Sequence, residues 1–356
     1  MKLTFRSTPN HHLDSLLDRE DECPASSLRI LGFPLIIRNL LSLQKIFNID
    51  TICIPNHFSI ASRLIQDNFP ALNLKEYCDD VPNITTNSTA TTDDHLNHAY
   101  NTSNPINIPI QGNTANLEIP INSLIHNSVQ SSSSTCYDYL NNPNNDNVLH
   151  VDIIAYPWQF LNAVQSVLNN EITHTVISPS AAVAKSSIIN GPCIIEDNVT
   201  IDDFCKIVGP TYIGADSFIG MSSLIRKSMM GVNTRIGFNC EVAKTYFEGH
   251  ARISHQNVVL DSIIGRNVWF GGYSGTANVL LDRKNVRYQI NHKLIDTGTD
   301  HFGAVVGNNC AIGASVIILP GRQIPSNTVI QAGTVVGKEK IDCIPKCVTV
   351  NQTAGQ

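Results

Sequence analysis

Residues 193 to 225 read Cys193-Ile-Ile195-Glu-Asp-Asn-Val-Thr-Ile201-Asp-Asp-Phe-Cys-Lys-Ile207-Val-Gly-Pro-Thr-Tyr-Ile213-Gly-Ala-Asp-Ser-Phe-Ile219-Gly-Met-Ser-Ser-Leu-Ile225, with isoleucine at every sixth place. Traced outward, the beat takes in Ile177, Val183 and Ile189 before this stretch, and it resumes as Val306, Ile312, Ile318, Ile324, Ile330 and Val336. No helix has a period of six and an ordinary strand alternates with period two, so a fixed period of this length means stacked repeats. Three short strands, each giving one inward aliphatic, make a triangular coil, and stacked coils bury one continuous apolar column. The residue after the aliphatic is often small or acidic (Gly214, Gly220, Gly237, Gly265, Gly307, Gly313, Glu196, Asp202), as a tight corner requires.

The beat is interrupted. After Ile225 it shifts by one residue and continues as Met230, Ile236 and Val242; it slips through Gly249-His-Ala-Arg252 and returns as Ile253, Val259, Ile264 and Phe270. Between Leu280 and Gly303 it vanishes while the flanking hexads stay intact, which predicts a loop over 281–303 thrown out of one corner. Excursions from a rigid scaffold are where sites are commonly built.

The chain has 356 residues, enough for two domains, and a net charge of −6, which gives no bulk attraction to nucleic acid or an anionic membrane. The N-terminus turns polar at once after Met1-Lys-Leu-Thr-Phe-Arg6 and no apolar run reaches the length of a membrane span, so a cytoplasmic protein is expected. The ten cysteines are scattered and several fall inside hexads, where a small buried thiol packs well. Cys343 and Cys347 have no second ligand pair nearby, so no metal site is expected.

Composition divides the rest. Residues 1–79 and 148–172 read as α/β, with helical spacing over Leu35–Phe47, a buried-type strand at Asp50–Pro55, an amphipathic stretch over His57–Asn68, a strand at Val151–Ala155 and a helix from Pro157. Residues 80–147 are dominated by Asn, Ser, Thr and Pro and read as a long loop or disordered insert, since so few aliphatics cannot offset the entropy of ordering. The repeats occupy 173–340, and 341–356 is a tail.

The six-residue beat is the hexapeptide pattern of left-handed β-helix proteins. Within it, Glu241-Val-Ala-Lys-Thr-Tyr-Phe-Glu-Gly-His-Ala-Arg-Ile-Ser-His255, Asp261-Ser-Ile-Ile-Gly-Arg-Asn-Val-Trp-Phe-Gly-Gly272, Ala277-Asn278 and Asp282-Arg-Lys284-Asn-Val resemble one family. It is the acetyltransferase half of the bifunctional sugar-1-phosphate nucleotidylyltransferase/acetyltransferases. Leu294-Ile-Asp-Thr-Gly298 and Gly303-Ala-Val-Val-Gly307 are similar to its archaeal branch. The resemblance runs from about Tyr156 to Lys338. It implies a left-handed parallel β-helix, an acetyl-CoA-dependent homotrimer with sites between neighbouring β-helices, and a sugar-phosphate or nucleotide-sugar substrate.

Residue by residue, the resemblance makes His255 the catalytic base. Asn278 and Lys284 then contact the sugar and its phosphate, and Arg226 lies near the phosphate-binding arginine. The chemistry agrees, because a neutral imidazole can take the proton of an amine attacking a thioester. A phosphate dianion needs cations before it can leave water. Three family positions differ: Val258 stands for a tyrosine, Ala243 for a lysine and Trp269 for an asparagine, which implies a changed acceptor pocket. A γ-type carbonic anhydrase on the same fold would need three zinc histidines at a spacing absent here.

Ile30-Leu-Gly-Phe-Pro34 and Tyr156-Pro-Trp158 are similar to parts of the nucleotidyltransferase half, so residues 1–79 and 148–172 are expected to be a degenerate remnant of that domain. Residues 1–22 contain no glycine where a phosphate-cradling loop belongs, so nucleotidyl transfer is expected to be lost. Two functions remain: an acetyltransferase on an amino-sugar phosphate or nucleotide sugar, and a non-catalytic scaffold or regulatory subunit of such an assembly.

Overall fold

A computed structural model describes residues 154, 156–290 and 292–337 in full and, between Lys2 and Ile153, mainly the backbone of short strands. Two compact units divide at Val167/Leu168. In the first, a parallel four-stranded sheet has the order Asn73–Tyr77, Thr51–Pro55, Lys2–Arg6, Asn116–Pro120. A second sheet is antiparallel, with Val148–Ile153 between Ile106–Pro109 and Ser123–Ile125. The expected strand at Asp50–Pro55 is there, and the strand before Ala155 runs Val148–Ile153. The helix expected over Leu35–Phe47 and the Cys343/Cys347 pair lie outside the described residues.

The reading of residues 80–147 as one long loop or disordered insert needs correction, since they include the strands Ile106–Pro109, Asn116–Pro120 and Ser123–Ile125. Asn116–Pro120 pairs in parallel with Lys2–Arg6 over five residues. Ile106-Asn-Ile-Pro109 and Asn116-Leu-Glu-Ile-Pro120 alternate apolar and polar with the period of two that a half-buried strand carries. Counting aliphatics over the whole tract hides these two short runs.

The helix Pro157–Glu171, at the junction of the units, starts as its sequence dictates. Pro157 fits the first helical position, and the Gln159 side chain reaches back to accept the Tyr156 N–H at 3.0 Å.

The second unit is a left-handed parallel β-helix. Its three sheets each hold eight parallel strands, so one coil of three strands stacks on the next. Face 1 begins at Val176–Ile177, face 2 at Ala182–Val183 and face 3 at Ile188–Asn190. The sixth-place aliphatics form the column: Ile195, Ile213, Ile219, Ile225, Ile312 and Ile318 are all buried in one cluster. Only the first coil departs, Ile177 being 42% exposed at the open end.

Coil length explains the shifts in the beat. Ile195 pairs with Ile213, 18 residues on, whereas Ile213 pairs with Met230, 17 on, and Met230 with Phe247, again 17. The longer coils turn from face 3 to face 1 through Gly191-Pro192 and Gly209-Pro210. The shorter ones use one left-handed residue followed by Ser or Thr: Lys227-Ser228, Lys244-Thr245 and Asp261-Ser262. The slip expected at Gly249–Arg252 is therefore misplaced; the short step falls at Lys244-Thr245, and Phe247 is the inward residue that follows.

Buried polar side chains occupy corners where the backbone ladder is interrupted. Ser223 Oγ donates to Gly237 O at 2.9 Å and accepts the Cys240 N–H at 3.1 Å, and Ser274 repeats this with Gly313 O at 2.8 Å and the Val316 N–H at 3.0 Å. Each hydroxyl thus satisfies two backbone groups of the next coil. The glycine after the aliphatic has a different cause from the turn itself. A Cβ on Gly237 would lie 2.6 Å from Ser254 O of the adjacent coil, so close approach excludes a side chain. The turn is made two residues later by left-handed residues such as Asn239 (φ 52°).

The 281–303 loop leaves the corner between faces 3 and 1, and it has structure of its own. Arg287–Ile290 and Lys293–Asp296 form an antiparallel hairpin. Val286 and Tyr288 are fully buried, and Tyr288 meets Phe302 edge-on at 5.9 Å. Burial pushes the Tyr288 phenol far above its ordinary value. The hairpin rests on the coil at Gly321, where a Cβ would lie 2.6 Å from Arg287 O.

Candidate functional site

His255 sits on the corner between faces 2 and 3, two residues beyond the inward Ile253. Its backbone is pinned: the carbonyl accepts the Tyr273 N–H at 3.0 Å and the Asn257 side-chain amide at 3.2 Å. Its side chain is exposed. Register places Phe238 one coil before it and Gly272 one coil after. Phe238 is exposed and apolar, whereas a Cβ on Gly272 would meet only the His255 carbonyl, at 3.4 Å. The imidazole therefore stands between an aromatic shelf and an open notch.

Asn278 lies at the opposite edge of face 3. Its amide donates to Asp261 Oδ2 at 2.5 Å, and its carbonyl accepts the Phe302 N–H at 2.9 Å. Asp261, buried and left-handed at φ 42°, takes the Gly303 N–H on its own carbonyl at 2.8 Å. These bonds close the base of the 281–303 loop. Lys284, on that loop, is exposed, and its ammonium lies 3.2 Å from Asp282. The Lys284 backbone N–H, ahead of its ammonium, holds the Asp282 carboxyl below its ordinary value. Arg226 lies lower on face 3, two coils before Leu260, and is committed to Glu241 at 2.5 Å.

Four predicted site residues thus fall on two edges of one face. Asn278 and Lys284 share the loop edge, with Arg226 three coils below Asn278, roughly 14 Å by coil spacing. His255 stands across the strand Val258–Leu260, on the order of 15 Å away. Within one chain the width of face 3 separates the backbone of His255 from that of Asn278.

Of the other histidines here, His250 belongs to a corner ladder, left-handed at φ 54° and 3.2 Å from the Asn233 amide. His292 is exposed, and His301 pairs with Asp300 at 2.7 Å, which lowers the Asp300 carboxyl. Among the described residues no group of His, Cys, Asp and Glu could hold a metal ion. Among them, too, no helix is long and apolar enough to cross a membrane.

Face 2 beside His255 carries side chains that the hexad reading passes over. Phe218, Arg235, Arg252 and Trp269 follow one another in register on successive coils. Their signal in the sequence is a spacing of 17, visible only once the short corners are recognised. Of the three departures, Trp269 is exposed on this face, Val258 is exposed on face 3 and Ala243 is buried there.

The family described as Bacterial transferase hexapeptide (six repeats) matches residues 192–227. The chain is 28% identical over 188 residues to a bifunctional sugar-1-phosphate nucleotidylyltransferase/acetyltransferase of Sulfurisphaera tokodaii, covering 52% of this chain and 46% of that one. It is 32% identical over 187 residues to the bifunctional protein GlmU of Methanococcus vannielii, covering 52% and 44%. The chain thus spans about half the length of these two relatives. With the uncharacterized acetyltransferase YaiX of Escherichia coli it shares 31% identity over 179 residues, 49% of this chain and 78% of the relative. The matched repeats and a relative spanned over more than three quarters of its length at that identity place this chain in the hexapeptide-repeat transferase family.

Proposed function

We propose that the protein is an acetyltransferase that acylates the amine of an amino-sugar phosphate or nucleotide sugar, with His255 as general base. The observation that carries this reading is the exposed imidazole on a rigid corner beside the notch at Gly272. Acetyl-CoA, as the second substrate, supplies the acyl group as a thioester, and the notch leaves room for it next to the imidazole. His255 takes the proton from the amine as the new N–C bond forms; the C–S bond breaks and the thiol leaves with a proton. Asn278 and Lys284 orient the sugar and neutralise its phosphate. Arg226 can join them only by releasing Glu241, and an exposed pair of that kind costs little to open.

The separation of His255 from the loop cations supports a site completed between copies of the chain. A homotrimer is the assembly we propose. Its contact would use the outer side of face 3, where Val258, Ile317 and Val335 stand in one register column with Gly275 between them. All three are exposed, as is Leu319 beside them. Such a stripe favours packing against another subunit. We further propose that nucleotidyl transfer is lost, because residues 1–22 offer no glycine to cradle a triphosphate.

The test follows free thiol release from acetyl-CoA over a panel of amino-sugar phosphates and nucleotide-linked amino sugars, with pyrophosphate release from UTP and dTTP measured alongside. At least one acceptor should release CoA, and His255→Ala should lower turnover by about 10²–10⁴-fold. Neither nucleotide should yield pyrophosphate. Full transfer by His255→Ala would remove His255 as the base, and no transfer to any acceptor would leave the scaffold reading, which the changes at Val258, Ala243 and Trp269 favour.

A further inference from the structure

The outer side of face 2, on the His255 edge, is built as a ladder of aromatic and cationic groups. Phe218, Arg235, Arg252 and Trp269 occupy successive coils, spaced about 4.8 Å apart. The Arg235 guanidinium lies over the Phe218 ring, 5.1 Å from its centre. Arg235 and Arg252 are both exposed, and neither has a carboxylate within ion-pair distance among the described residues. Two like charges on adjacent rungs repel, and among the described residues of this chain of net charge −6 no carboxylate pairs with them. Trp269 is 51% exposed, and its indole N–H donates to Ser254 Oγ at 3.3 Å. That bond fixes the ring next to the residue preceding His255.

We infer that this ladder is a nucleoside-diphosphate subsite. Arginines carried on adjacent rungs can reach the two phosphates of a pyrophosphate, to which arginine forks bond bidentately, once the Arg235 side chain swings off Phe218. An exposed indole held at its edge offers a flat face on which a base stacks. The inference rests on the acyl-transfer reading only for its role: His255 begins three residues after Arg252, so an anion held there would place an attached group at the imidazole. One chemistry has two sources, the nucleotide of an acceptor sugar and the ADP portion of coenzyme A.

Titration of the full chain with UDP and, separately, with adenosine 3′-phosphate 5′-diphosphate, read by tryptophan emission and calorimetry, tests this. The chain has two tryptophans, and Trp158 is only 6% exposed, so quenching by a bound base reports Trp269. At least one probe should quench and bind. Arg252→Ala and Trp269→Ala should each weaken that probe by about tenfold or more, by the worth of one stacked base or one charged contact. Tighter binding of UDP assigns the ladder to the acceptor, and tighter binding of the adenosine diphosphate probe assigns it to the donor; both support the subsite. His255→Ala should bind with unchanged affinity, so loss of acyl transfer in that variant leaves this inference standing. Binding of neither probe overturns the subsite, as does full affinity in both Arg252→Ala and Trp269→Ala. Either of those results would leave acyl transfer by His255 untouched.

Discussion

Gly272 governs how much room the imidazole has. Its φ lies outside the left-handed region, and a Cβ there would touch nothing within 4 Å except the His255 carbonyl at 3.4 Å. Gly272→Val should therefore fold with a Tm within a few degrees of wild type, as an exposed change away from packing does. The added methyls would fill the notch and push the acyl group out of line. Turnover should fall by about tenfold or more, since small misplacements are costly to a reacting pair. Parallel melting curves and initial rates check this, and a large drop in Tm would show that the glycine serves the fold instead. At this scale the sequence offers His255, Asn278 and Lys284 only as what the resemblance implies, and it does not reveal that two edges of one face separate them. Trp269 is legible only as a substituted asparagine, because its partnership with Arg252 depends on coil register.

The hexad beat gives the strands and the buried column directly, since one inward aliphatic per strand leaves a period no other element has. It is blind to the face 3 to face 1 corner, where Gly-Pro and single left-handed residues are interchangeable and each exchange moves the register by one. It is equally blind to the hairpin inside the 281–303 loop, whose alternation over Arg287–Ile290 is too short to stand out. Inside the column, burial raises the Cys193 thiol from an ordinary 9.0 to about 11. A thiol whose folded pKa exceeds its unfolded one contributes stability that is whole below pH 9 and is lost as the pH rises through 11. The denaturation midpoint of the wild type should accordingly fall more steeply between pH 9 and 11 than that of Cys193→Ala. Parallel slopes would mean that the thiolate is accommodated within the fold.

For the whole molecule, the decisive fact is that one face carries His255 on one edge and the Asn278–Lys284 loop on the other. If each site takes its base from one copy and its loop from the next, the two halves can be inactivated in different chains. His255→Ala and Lys284→Ala homotrimers should both be poor enzymes. The first should lose turnover, and the second should mainly suffer a raised acceptor KM, because it loses binding common to ground and transition states. Co-expressed in equal amounts, the two chains would assemble at random in a closed ring, and about a quarter of the interfaces would pair an intact His255 with an intact Lys284. Mixed assemblies should then regain about a quarter of the wild-type rate at subsaturating acceptor, while the separately purified variants, simply combined, should not. A mixed preparation no more active than the average of the two parents would mean that each chain reacts within its own coil, and the apolar stripe on face 3 would need another occupant.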